Sequence, residues 1–225
     1  MWFYAFLPIA VGALGGAWST MRVPSPKMVG AIQHFAAGLI FYAAAGELLP
    51  DVLHGAVWSA VIGGAAGIAV MLLLAQVTKG YEGPVALIVL AAVDALIDGV
   101  VLGLGFDAGQ RQGTLIAIAL SMEFLFLGLS IAGAFGAGAS KWKVIAITAG
   151  VALAVPPGML IAQPIATLSP AWQAVAFSFG LVALLYLVTE ELLIEAHERP
   201  ETPWGTAMFF VGFLSLEVID RAMVP

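Results

Sequence analysis

Three acids stand inside long apolar runs, where a carboxylate has no water to face: Asp94, Asp98 and Glu123. Asp94 and Asp98 are one helical turn apart, so on a helix they share a face, with roughly 5–6 Å between their Cβ atoms. An uncompensated acid in the middle of a bilayer costs on the order of 2.5–3.5 kcal/mol by insertion scales. Neither run contains a Lys or Arg that could offset the charge. A bound cation, a proton or internal water are the available partners. Crowded carboxylates cannot all stay charged, so a site that releases protons as a metal enters is a natural arrangement. The bland alternative is that protonated acids hold helices together by hydrogen bonds, which is expensive glue for three groups.

Other acids approach the ends of further apolar runs. Glu47 and Asp51 close one run, Glu217 and Asp220 another, and Glu190, Glu191, Glu195 and His197 a third. Together with the central three they read as oxygen-ligand steps from one side of a membrane to the other. The candidate metal ligands are therefore Asp94, Asp98, Glu123, Glu47, Glu191 and Glu190. For Asp51, Asp220 and Glu198 the simpler reading is a helix-end acid that snorkels to the headgroups. His34 and His197 fall on one side, where they could help a metal leave, although a lone interfacial His is more often a solvated helix end.

The elements that must position these residues follow from composition. Hydrophobic residues fill 62% of the 225 positions and charged residues 10%, against ~25% charged in a soluble domain. Lipid must therefore be part of the solvent. There is no Cys, which excludes disulfides, thiolate ligands and iron–sulfur clusters. Eight scattered basic residues give nucleic acid nothing to bind. The pattern predicts an all-α membrane protein of eight transmembrane helices, over about 2–19, 29–53, 56–77, 84–106, 113–138, 143–162, 171–196 and 203–220. These form a single transmembrane domain over 1–225, multi-pass in the cell membrane. The first span lacks a basic leader and a small-residue cleavage site, so it reads as a retained helix.

Breaks are expected at Pro24–Lys27, Asp51–Gly55, Lys79–Pro84, Asp107–Gln112, Ser140–Lys143, Pro164–Pro170 and Glu198–Pro203. Arg22, Lys27, Lys79, Lys141, Lys143 and Arg199 fall in odd-numbered loops, and only Arg111 and Arg221 on the other side. That bias puts the odd loops in the cytoplasm and both termini on the extracytoplasmic side. Phe35-Ala-Ala-Gly-Leu with Glu47-Leu-Leu-Pro-Asp51 echoes Phe177-Ser-Phe-Gly-Leu with Glu191-Leu-Leu-Ile-Glu195 on an oppositely directed span. Asp94-x-x-x-Asp98-Gly99 and Glu123-x-x-x-Leu127-Gly128 echo in the same antiparallel sense, the signature of an inverted repeat. Pro156-Pro157-Gly158 should interrupt the sixth span, and Gly99, Gly103, Gly105 and Gly128 should let helices approach closely.

These motifs resemble the ZIP family of divalent metal transporters along nearly the whole chain. FAAG followed by ELLPD looks like that family's second helix, and LYLVTEELLIEAHE like its seventh, with Ile194 where proline is usual. The resemblance implies a 3+2+3 helical arrangement, a metal site on helices four and five, alternating access, and zinc, iron, manganese or a similar ion as substrate. Departures fall at that site. Asp94-Ala95-x-x-Asp98-Gly99 replaces the family's His-Asn-x-x-Glu-Gly, Glu123-x-x-Phe126-Leu127-Gly128 replaces His-x-x-Pro-Glu-Gly, and Val155 stands where a metal-binding Glu precedes Pro156. A single oxygen-lined site is expected instead of a two-metal centre.

The functional expectation is a divalent metal transporter that carries its ion into the cytoplasm, with no enzyme activity and no organic cofactor. Its partners are the metal cation and the lipid bilayer, and a homodimer is the assembly considered. One alternative keeps the fold but moves protons or another small cation. The other is an intramembrane aspartyl protease, which needs two acids sharing a proton on neighbouring helices. Carboxylate oxygens suit manganese, magnesium or iron(II) relatively better than imidazole does, so discrimination in favour of zinc should narrow.

Overall fold

Runs that are apolar on every side can bury their backbone polar groups in lipid only as helices. The computed structural model describes residues 2–21, 24–78, 84–135, 140–200 and 202–223, and among them there is no strand. Eight helical stretches follow one another: α1 Trp2–Met21, α2 Pro26–His54, α3 Val57–Thr78 and α4 Pro84–Ala108, then α5 Gln110–Phe135, α6 Lys141–Thr167, α7 Pro170–His197 and α8 Pro203–Ala222. Among the described residues seven, α1 to α7, are long and apolar enough to cross a membrane. The eighth carries Glu217, Asp220 and Arg221 near its end and is not one of them. The molecule is a multi-pass membrane protein whose outward faces carry Val57, Val61 and Leu73 into lipid.

Helix starts are set locally. Ser25 caps α2 by accepting from the Met28 amide, and Thr202 caps α8 by accepting from the Gly205 amide at 3.0 Å. A proline follows each cap, where its missing amide is no loss. The α4–α5 break is narrower than the polar run Asp107–Gln112 predicts. Gln110, Arg111 and Gln112 are good helix formers and already belong to α5, so only Gly109 separates the two helices. As expected, α6 is interrupted: one helix ends at Ala152 and a second begins at Val155, just ahead of Pro156 and Pro157.

Two long helices share an irregularity. In α2 the segment Ala43–Leu48 is π-helical, and in α7 the segment Leu187–Leu192 is too. Each follows a tyrosine, Tyr42 or Tyr186, and each carries an acid in its fifth position, Glu47 or Glu191. The starts Pro26 and Pro170 stand in the same register as these acids. That register pairs Phe35 with Phe179, two residues on from the Phe177 of the sequence echo. The echo aligned Phe-x-x-Gly-Leu by composition, whereas the helix start and the π turn fix the structural correspondence.

Packing repeats the same exchange. Helix α1 packs on α5 and α6 on α4; α2 packs on α8 and α7 on α3; α2 also reaches α5, and α7 reaches α4. Swapping α1 with α6, α2 with α7, α3 with α8 and α4 with α5 converts each pair into the other. Glycines make the close crossings possible. A Cβ on Gly99 would collide with the Val155 carbonyl and Gly158 of α6, and one on Gly128 with the backbone of Gly12 and Gly16 of α1. The two glycines of the α4/α5 echo thus do equivalent jobs on exchanged partners.

Candidate metal centre

Helices α4 and α5 run side by side and bring their acids together. Asp94, Asp98 and Glu123 each offer a ligand atom, and these atoms lie within 4.8 Å of one another. Asp98 and Glu123 are buried, 2% and 7% exposed, while Asp94 is half-buried. Asp98 Oδ2 and Glu123 Oε2 have no hydrogen-bond partner, and neither does Ser130 Oγ, two turns along α5 from Glu123. Buried oxygens without partners are costly, so three around one hollow call for a donor or a cation.

That hollow is a cavity of about 90 Å³ lined by Asp94, Asp98, Glu123 and Ser130, by Leu90, Phe126 and Leu187, and by Glu191 and Glu195 of α7. Among the described residues no Lys or Arg lines it. The acids form a file from Asp98 to Glu195, whose side chain is exposed at the end of the molecule that carries Arg199. At the mouth, Gln33 donates to Glu195 at 3.0 Å and Arg199 donates to Gln33 at 3.0 Å. Beyond Asp98 the file stops. Val101, Leu102, Leu104, Ile116 and Leu120 are at most 2% exposed, and with Leu48 they form a dry layer toward the opposite end.

The structure divides the six acids predicted as ligands. Asp94, Asp98 and Glu123 converge, and Glu191 lines the same cavity. Glu190 does not join them. It is exposed in an apolar groove between α3 and α7, beside Ile68, Leu72 and Tyr186. Glu47 is buried at the far side of the dry layer, where its backbone carbonyl accepts from Gln112 at 2.6 Å. The ladder of oxygens expected to cross the whole membrane is therefore present on one side of the triad only.

At the closed end the acids make a different structure. Asp220 does not snorkel to solvent as expected: it is 6% exposed, paired with Arg111, and accepts from the Tyr42 hydroxyl at 2.9 Å. Asp51 accepts from Gln112 at 2.8 Å. These bonds tie the first turn of α5 to α2 and α8. The sequence reading placed Arg111 in a loop and so missed this network; an Arg within one helical turn of Gln112 and opposite two acidic helix ends is the signal that could have found it. Ser130 was missed as well, because a Ser in an apolar helix usually bonds its own backbone.

The basic residues segregate as expected among those described, Lys27, Lys141, Lys143 and Arg199 at one end and Arg111 and Arg221 at the other. Arg22 and Lys79 lie outside the described residues. A scan against protein-family models found no match to this chain, and a search of curated proteins likewise found none.

Proposed function

We propose that this protein moves divalent metal cations across a membrane, with Asp94, Asp98 and Glu123 as the transient ligands of the substrate ion. One observation carries the reading: three carboxylates with ligand atoms within 4.8 Å, in a cavity with no basic lining residue among those described, two of them with an unbonded oxygen. A dication supplies what that cluster lacks, and oxygen ligands suit manganese, iron(II) or zinc in that role. Glu191 and Glu195 continue the acid file to one surface, which suits an ion that must reach the site and leave it. Closure on the other side suits alternating access, in which the triad is exposed to one face at a time.

The likeness to ZIP transporters supports the same reading. The exchange of α1–α3 with α6–α8 around the α4–α5 pair is what a 3+2+3 inverted repeat requires, with α8 as the eighth span. The metal is substrate, so no resident cofactor is needed, and the chemistry needs no catalytic residue.

Uptake into proteoliposomes of zinc, manganese, iron(II), cadmium and magnesium tests the proposal. Uptake of at least one transition ion is expected, and Asp98→Asn and Glu123→Gln should each remove most of it. The amide keeps volume and one carbonyl ligand but removes the charge that offsets a dehydrated dication. Normal uptake by both variants, or no metal uptake by a folded parent, overturns the reading. A parent that carries protons with no metal would favour the small-cation alternative.

A further inference from the structure

We propose that the groove between α3 and α7 binds a membrane phospholipid with a primary-amine headgroup, its ammonium on Glu190 and an acyl chain along the groove. Ile68 and Leu72 of α3 and Val182 and Leu185 of α7 wall a groove of about 480 Å³, with Thr189 and Glu190 toward one end. Its origin lies in the glycines of α3. A Cβ on Gly63 would strike the Val175 carbonyl and one on Gly67 would press on Val182, so the two helices touch there. Residues 68–78 of α3 contain no glycine, so side chains hold the helices apart and the groove opens.

Glu190 is exposed on that outward surface, and among the described residues no Lys or Arg lines the groove. The span Pro170–His197 has 28 residues. At a rise of ~1.5 Å per residue it overhangs a hydrocarbon core of ~30 Å by about 6 Å at each end when centred. Glu190, about two turns before His197, then lies within about 5 Å of the hydrocarbon edge, level with the lipid headgroups its carboxylate can reach. A lipid ammonium at that depth supplies the counter-charge that the groove itself lacks. Thr189 adds a second acceptor: its hydroxyl donates to the Leu185 carbonyl at 3.0 Å, which leaves its oxygen able to accept. A primary ammonium brings three N–H donors to these oxygens. A choline headgroup carries the charge without an N–H, and an anionic headgroup is repelled. The groove shares no residue with the metal cavity, so the proposal does not depend on the transport reading.

Native mass spectrometry tests it on the delipidated full chain in detergent micelles. The chain is equilibrated with equimolar phosphatidylethanolamine, phosphatidylcholine and phosphatidylglycerol of identical acyl chains, and the lipid that stays bound is counted. The parent should retain phosphatidylethanolamine about five-fold over phosphatidylcholine, the factor an interfacial ion pair gives, and phosphatidylglycerol least. Glu190→Gln, at an exposed position, should fold and bring phosphatidylethanolamine down to the phosphatidylcholine level. Leu72→Trp, which fills the groove, should reduce the bound phosphatidylethanolamine several-fold. Glu198→Gln, an exposed acid beyond the last turn of α7, is the control and should keep the preference, as should Asp98→Asn even though it loses uptake. Equal retention of the two lipids by the parent, a preference that survives Glu190→Gln, or its loss in Glu198→Gln would each overturn the proposal. A lipid-free dimer that dissociates in Glu190→Gln would assign the groove to a second copy of the chain and overturn it as well.

Discussion

Asp98 and Asp220 are buried almost equally, at 2% and 6% exposure, but their surroundings differ in kind. Asp220 accepts from Arg111 and Tyr42, so replacing it with Asn takes the charge away from a half-exposed guanidinium and weakens the Tyr42 bond, at a cost of about 1 kcal/mol of stability. Asp98 keeps an oxygen with no donor, so Asp98→Asn removes an ionisable acid and brings an N–H donor into a cluster of acceptors, and it should fold at least as well as the parent. Thermal unfolding in detergent separates the two: a lower Tm is expected for Asp220→Asn and an unchanged or higher one for Asp98→Asn. Added Mn²⁺ should raise the parent's Tm by mass action, through about 2.7 kcal/mol of added stability at a hundred times Kd, and Asp98→Asn should lose that gain. Asp107→Asn, at an exposed position, should keep it. A metal-induced gain that persists in Asp98→Asn would remove the triad from consideration as the binding site. The three central acids were legible in the sequence because a midplane carboxylate is too costly to be incidental. The choice between Glu190 and Glu191 was not, since the two are adjacent and only the π turn decides which one faces the cavity.

Helix pairing depends on a few positions where backbones nearly touch. Gly99 and Gly158 meet where α4 crosses the break in α6, and a Cβ at either would strike backbone of the other helix. Such atoms cannot yield as a flexible side chain would. Gly99→Ala should therefore cost about 1–3 kcal/mol through overpacking and displace the turn that carries Asp98. Gly150→Ala in the same broken helix meets nothing within 4 Å and should be neutral or mildly stabilising. Unfolding midpoints of the two variants give the comparison, and equal midpoints would mean that the α4–α6 crossing admits a methyl group without cost. The spans themselves could be read from apolar length, and the break in α6 from its two prolines. The π segments could not: an i→i+5 turn has no composition of its own, and Ala43–Leu48 and Leu187–Leu192 share little beyond Glu-Leu. What betrays them is the shared spacing from Tyr42 to Glu47 and from Tyr186 to Glu191, which is visible only once the two helices are laid in register.

Across the whole molecule the exchangeable packing of α1–α3 with α6–α8 is broken by what the two halves do with their acids. On the α7 side Glu191 and Glu195 line a cavity; on the α2 side Glu47 and Asp51 lie behind a dry layer, tied to α5 through Gln112. Under the proposed alternating access this packing is one of two conformations, and the other would open the far side at the expense of these bonds. The asymmetry makes a prediction that needs no assumption about the ion. The chain has no native Cys, so single cysteines report access directly. In sealed vesicles of known orientation, Ser130→Cys should react with a membrane-impermeant thiol reagent from the same side as Lys143→Cys, and Leu104→Cys from neither. Gly109→Cys, in open space between α4 and α5, should mark the opposite side. The basic-residue bias further predicts that the Lys143 side is the cytoplasmic one. Faster reaction of Ser130→Cys from the Gly109 side would mean that the dry layer, not the acid file, is the way in.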